Sequence, residues 1–149
     1  MFKLILHRPR RSAQRIRSFD EATRCAGPLA QRLPRVQTVD IACVVGSVGR
    51  WRELGADFRP RGRRRPEDEW RFQAIRAAMQ RGQHLPLIDL YKFGSDYFVL
   101  DGHHRLAAAR SLGQLAVEAS VTEFRPLARP TRMDPQHSHR GAIAAASAA

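Results

Sequence analysis

Between Tyr97 and Gly113 the chain passes from an apolar run, Tyr97-Phe98-Val99-Leu100, through Asp101-Gly102 into His103-His104-Arg105, and then into a segment with Leu106, Ala109 and Leu112 along one side. Such an order folds as a buried strand, a tight turn and a helix that stops at Gly113. It gathers unpaired backbone N–H groups and the positive end of a helix dipole at one point, which suits an anion. Gly102 has no Cβ, so a phosphate can approach the backbone, and Arg105 can reach back with a bidentate guanidinium. His103 and His104 add two further donors. Asp101 falls at or near the N-cap, where its carboxylate holds helix N–H groups, or else holds Arg105 or Mg²⁺. A purely structural reading of the same residues stays open: Asp101 a cap, Gly102 a turn, the histidines exposed on the helix.

The rest of the sequence reads as one α/β domain around this segment. With 149 residues and 43% hydrophobic content the chain suffices for a single core. Residues 1–17 read as a basic mobile arm, 18–127 as the domain, and 128–149 as a mobile tail. His137 and His139 in that tail lack further metal ligands nearby and read as solvated. Ser18 and Glu21 have the spacing of a capping box, which starts a short helix that Gly27-Pro28 interrupts. Val36 to Val48 is β-branched and reads as one or two strands leading to the turn Gly46-Ser47-Val48-Gly49. Residues 50–65 read as a loop. A second helix begins at Pro66, with Glu67, Asp68 and Glu69 in its first turn, and runs to Gly82 with Phe72, Ile75 and Met79 on one face. Leu85 to Phe93 and Tyr97 to Leu100 form a hairpin of central strands, and Leu115 to Val121 a last, half-buried strand.

Cys25 and Cys43 are the only cysteines and read as reduced thiols. The apolar stretch Met1 to Leu6 is too short for a signal-peptide core, and no run approaches the roughly 18 apolar residues that cross a bilayer. A cytoplasmic protein that binds no membrane is expected. The net charge is +12, almost all of it from arginine, and such a field attracts polyanions.

The runs Leu85-Pro86-Leu87-Ile88-Asp89-Leu90, Tyr97 to Ala109 with Gly102-His103-His104-Arg105 at its centre, Gly113, and Val117 to Val121 together resemble the ParB N-terminal (ParB-like nuclease) domain of the ParB/sulfiredoxin superfamily. The resemblance covers about residues 36–124. It implies a compact fold with a small mixed sheet flanked by helices, in which the G-x-x-R segment cradles a nucleoside triphosphate, CTP or ATP, with or without Mg²⁺. Carried over by position, Gly102, His103, His104 and Arg105 contact phosphates, and Arg105 is the foremost of them. The turn from Gly46 to Arg50 and the basic loop from Arg61 to Arg65 would line the remainder of the pocket. Where sulfiredoxin-like enzymes have a nucleophilic cysteine this chain has His103, so sulfinic acid reduction is not expected. The helix-turn-helix and dimerisation segments of chromosome-partition members have no counterpart here, so sequence-specific DNA clamping is not expected either.

The leading expectation is therefore a nucleotide-binding ParB-like domain, an NTPase if it turns its ligand over, that works in a nucleic-acid context. Catalysis would rest on charge stabilisation, with Asp101, His103 or His104 as the proton acceptor. A second reading is a non-catalytic DNA- or RNA-binding protein that grips phosphates through Arg11 to Arg17 and through Arg59, Arg61, Arg63, Arg64 and Arg65. Trp51 and Trp70 could then stack on bases, although an aromatic beside a helix more often serves packing. A third reading makes Asp101, His103 and His104 a nuclease metal cluster, against which adjacent helical histidines point about 100 degrees apart.

Overall fold

The computed structural model describes residues 15–63 and 65–127. Strand β1 (Arg17–Ser18) leads directly into helix α1 (Phe19–Thr23), whose first turn is capped by the Ser18 hydroxyl accepting from the Glu21 N–H at 3.4 Å. The fold therefore starts earlier than the sequence reading placed it. Ile16 is buried in the core and Arg17 pairs with Gly46, so neither belongs to a mobile arm. The pairing requires Gly46. A Cβ there would lie 2.1 Å from the Arg17 carbonyl oxygen and 2.7 Å from the Phe98 ring.

Strands β2 (Leu29–Gln31), β3 (Arg35–Asp40) and β4 (Val44–Ser47) follow, the last two separated by a 3-10 turn at Ile41–Cys43. Helix α2 (Pro66–Gln80) opens on Pro66, has its acidic residues in the first turn, and buries Phe72 and Ala78. Strands β5 (Ile88–Phe93) and β6 (Asp96–Asp101) form the hairpin, and helix α3 (His103–Ser111) leads to β7 (Ala116–Pro126). All seven strands among the described residues belong to one mixed sheet in the order β1-β4-β6-β5-β7-β2, with β3 also on β7. The hairpin strands are central, as their apolar runs demand.

Alternation along the central strands gives each sheet face its own core. Leu90 and Val99 face α2 and α3, where Leu106, Ala107, Ala108 and Ala109 are all buried. The three alanines let α3 lie close to the sheet, and Leu106, fully buried, contributes roughly 2 kcal/mol. Phe98 and Tyr91 face the opposite way and meet Phe19 of α1 edge-on, with ring centroids 5.5 and 5.2 Å apart.

Three features were absent from the sequence reading. Strand β2 pairs with the far end of β7, which runs to Pro126 rather than stopping at Val121. The hairpin's first strand starts at Ile88, not Leu85, because the Pro86 and Leu87 carbonyls are used elsewhere. The connection from residue 48 to 65 is irregular yet not merely solvated: Leu54 and Phe58 are wholly buried, and a bridge joins Leu54 to Pro60. No helix among the described residues is long and apolar enough to cross a membrane. His137 and His139, and the basic residues before Arg15, lie outside the described residues.

Candidate functional site

Strands β4 and β6 run parallel and side by side, so their carboxyl ends open at the same edge of the sheet. In open α/β sheets ligands settle outside such ends. From β6 the chain turns at Gly102, at φ +96°, and enters α3 at His103. Gly102 is the N-cap and supplies no side chain; the first turn of α3 holds no acid. The first backbone bond of the helix runs from the Leu106 N–H to the Gly102 carbonyl at 2.9 Å, leaving the amides before it without a side-chain acceptor.

Asp101 does not cap the helix, contrary to the first of the two roles expected for it. It ends β6, and its carboxylate accepts from Nη2 of Arg105 at 2.6 Å, the second of those roles. Nη1 of Arg105 donates to the Pro86 and Leu87 carbonyls, each at 2.6 Å. Arg105 thus clamps the segment before β5 to the β6–α3 turn. Its guanidinium also lies tightly against the space a Cβ on Gly102 would take, with atoms 3.1 to 3.2 Å from that position. The opening that the missing side chain was expected to leave for a phosphate is filled, on that side of the backbone, by Arg105. Arg105 further lines an open cavity of about 360 Å³ together with Met79, Leu85, Pro86, Leu87 and Gln114.

The two histidines diverge, as their spacing on a helix requires. His103 is buried, and its Nε2 lies 2.8 Å from Oγ of Ser47 at the end of β4. The same hydroxyl accepts from the Arg50 N–H at 3.1 Å and donates to the Val99 carbonyl at 3.3 Å. Burial, with the Arg50 charge second, pushes the His103 pKa down to about 4, so the ring is neutral at physiological pH. His104 turns towards α2, where Nε2 lies 3.8 Å from a carboxylate oxygen of Asp68, beyond hydrogen-bond distance. That nitrogen is buried without a partner. Burial lowers its pKa, Asp68 acts in the opposite direction, and Arg50, Arg71 and Arg59 lower it further.

Asp101, His103 and His104 consequently point to three different places, and no group of three or more His, Cys, Asp or Glu gathers around a metal position among the described residues. Arg59 is also unlike the free phosphate ligand expected. Its guanidinium lies 3.9 Å above the Phe72 ring and 2.5 Å from the Glu69 carboxylate. Arg61, Arg63 and Arg65 are exposed, while Arg64 lies outside the described residues. The Gly46 to Arg50 turn sits beside α3. The Ser47–His103 bond within it carried no sequence signal, since the two residues are 56 positions apart.

Fold and site together define a mixed α/β domain whose third helix presents an uncapped amino terminus beside the carboxyl ends of two parallel strands. No protein-family model matches the sequence, and no curated protein matches it. Among solved structures, the chain is similar to sulfiredoxin from Arabidopsis thaliana, with 14% identity and a TM-score of 0.45 over 59% of this chain and 84% of that one.

Proposed function

We propose that this chain is a nucleotide-binding domain of the ParB/sulfiredoxin kind, taking the phosphates of a nucleoside triphosphate at the amino terminus of α3. The observation that carries the reading is the helix start itself: a left-handed glycine N-cap, no side-chain cap and no acid in the first turn, with the Arg50 charge close enough to depress both histidines. Backbone amides and a helix dipole in that arrangement favour an anion. Support also comes from the motif Gly102-His103-His104-Arg105, which falls at that turn.

Arg105 enters the proposed site by exchange. Its bonds to Pro86 and Leu87 hold the guanidinium in place, while its third partner, the Asp101 side chain, is 70% exposed. An ion pair with so exposed a member is worth about 0–1 kcal/mol, so a phosphate can take over the Nη2 donor at small cost. The nucleoside then extends into the cavity that Arg105 lines. His103, neutral and committed to Ser47, positions the helix start and supplies no charge. If the ligand is hydrolysed, Asp101 and His104 are the remaining proton acceptors of the three named from sequence. Sulfinic acid reduction is not part of the proposal, because His103 takes the place of the cysteine that chemistry needs.

Equilibrium binding of ATP, CTP, GTP and UTP, with and without Mg²⁺, tests the reading. One ligand per chain is expected, weakened at least tenfold in Arg50→Ala; no saturable binding of any of the four would refute it.

A further inference from the structure

Trp70 is 71% exposed, on the second turn of α2. Tryptophan is seldom left so open, because its ring forfeits a large burial gain. Trp51, by contrast, packs against the core and carries the Arg52 guanidinium 4.7 Å above its ring. No ring or cation–π partner covers Trp70 among the described residues.

Its surroundings are basic. Arg65 is the N-cap residue of α2, five positions before Trp70, and Arg61 and Arg63 lie in the loop just ahead. Arg71 follows Trp70 at once. All four are exposed, and none has an acidic partner among the described residues, unlike Arg17, Arg50, Arg59 and Arg105. The acids of the same helical turn are largely engaged elsewhere: Asp68 faces His104 and Glu69 binds Arg59, which leaves Glu67 as the exposed one. Five residues of helix rise about 7 Å, while Trp70 and Arg71 stand about 100° apart around the axis, so the ring, the arginines and the exposed Glu67 gather at one end of α2 and not on a single helix face.

From this placement we infer that Trp70 and the arginines around it form a binding surface for single-stranded nucleic acid, with a base stacked on the indole and the adjoining phosphates held by Arg61, Arg63, Arg65 and Arg71. A flat aromatic face accepts any unpaired base and has nothing to stack on in a closed duplex. Backbone charge would satisfy the arginines alone; an open ring at the same end of the helix selects strands whose bases are free. The surface involves neither Gly102 nor Arg105 and stands or falls separately from the nucleotide site.

The test compares three probes of equal length on the full chain: an eight-residue oligothymidylate, an abasic eight-mer of equal charge, and the same sequence as a duplex. The oligothymidylate is expected to bind at least tenfold more tightly than the abasic strand and to quench tryptophan fluorescence in a Trp51→Phe background. Trp70→Ala should erase that preference while leaving the circular dichroism spectrum and nucleotide binding unchanged, since Trp70 lies outside the hydrophobic core. Replacing Arg61, Arg63 and Arg71 by Ala together should weaken all three probes and lower the salt slope for the single strand by about 2. Equal affinity for thymidylate and abasic strands, tighter binding of the duplex, or a preference that survives Trp70→Ala would each overturn the inference. So would a concentration-dependent dimer that Trp70→Ala abolishes and that excludes the oligonucleotide.

Discussion

Nε2 of His103 and Oγ of Ser47, 56 positions apart in sequence, meet at 2.8 Å inside the protein and join the start of α3 to the end of β4. The bond sets the helix start against the turn that carries Arg50, and it does so with a ring that burial and Arg50 keep unprotonated down to about pH 4.

Acid should therefore weaken the fold. An unfolded His takes up its proton near pH 6.5, whereas the folded His103 resists until about 4, so the unfolded state binds more protons throughout that interval. Stability is complete above about pH 6.5 and falls as pH drops towards 4, by roughly 2–3 kcal/mol. Urea unfolding at several pH values measures this, and His103→Gln should flatten the curve over that window.

Asp101→Ala should tighten phosphate binding several-fold. Removing the carboxylate frees Nη2 of Arg105 while its bonds to Pro86 and Leu87 remain. A drop in affinity that appears only with Mg²⁺ would instead make Asp101 a metal ligand. Calorimetric titration of the preferred nucleotide, with and without Mg²⁺, separates the two.

Gly102→Ala should cost about 1–3 kcal/mol, because φ there is +96° and the new methyl group meets the Arg105 guanidinium. Gly46→Ala should cost more. Its Cβ would lie 2.1 Å from a carbonyl oxygen, and only separation of β1 from β4 relieves that. Thermal unfolding of both variants should rank them in this order.

Arg59→Ala should destabilise the protein by roughly 1–2 kcal/mol through loss of the Phe72 face and the Glu69 pair. The salt dependence of its nucleic-acid binding should stay as in the parent chain. Arg63→Ala should do the reverse, with stability within about 0.5 kcal/mol and a shallower salt slope.

The parts of this molecule that could be read from sequence are those whose cause is local. Pro66 with its acidic first turn and Gly82 beyond its end mark α2, and the apolar alternation through residues 88–101 marks the hairpin. At the site, Asp101-Gly102 followed by the helix was legible for the same reason. What could not be read depends on residues far apart in the chain. The arginine at 105 looks like a free ligand until the Pro86 and Leu87 carbonyls are brought beneath it. Arg59 belongs to an arginine-dense run, yet Phe72 and Glu69 claim it for packing. Phe58 sits among polar residues, buried and with φ +60°, and nothing adjacent announces it.

Strand β7 is the neighbour of β5 on one side and of both β3 and β2 on the other. A growing polypeptide that has not yet reached residue 116 has no template for β2 or β3, and β5, paired with β6 on one side, keeps its other hydrogen-bonding edge open. Assembly is thus postponed until near the end of synthesis of this domain, and translation halted earlier would leave an adhesive intermediate for chaperones to shield.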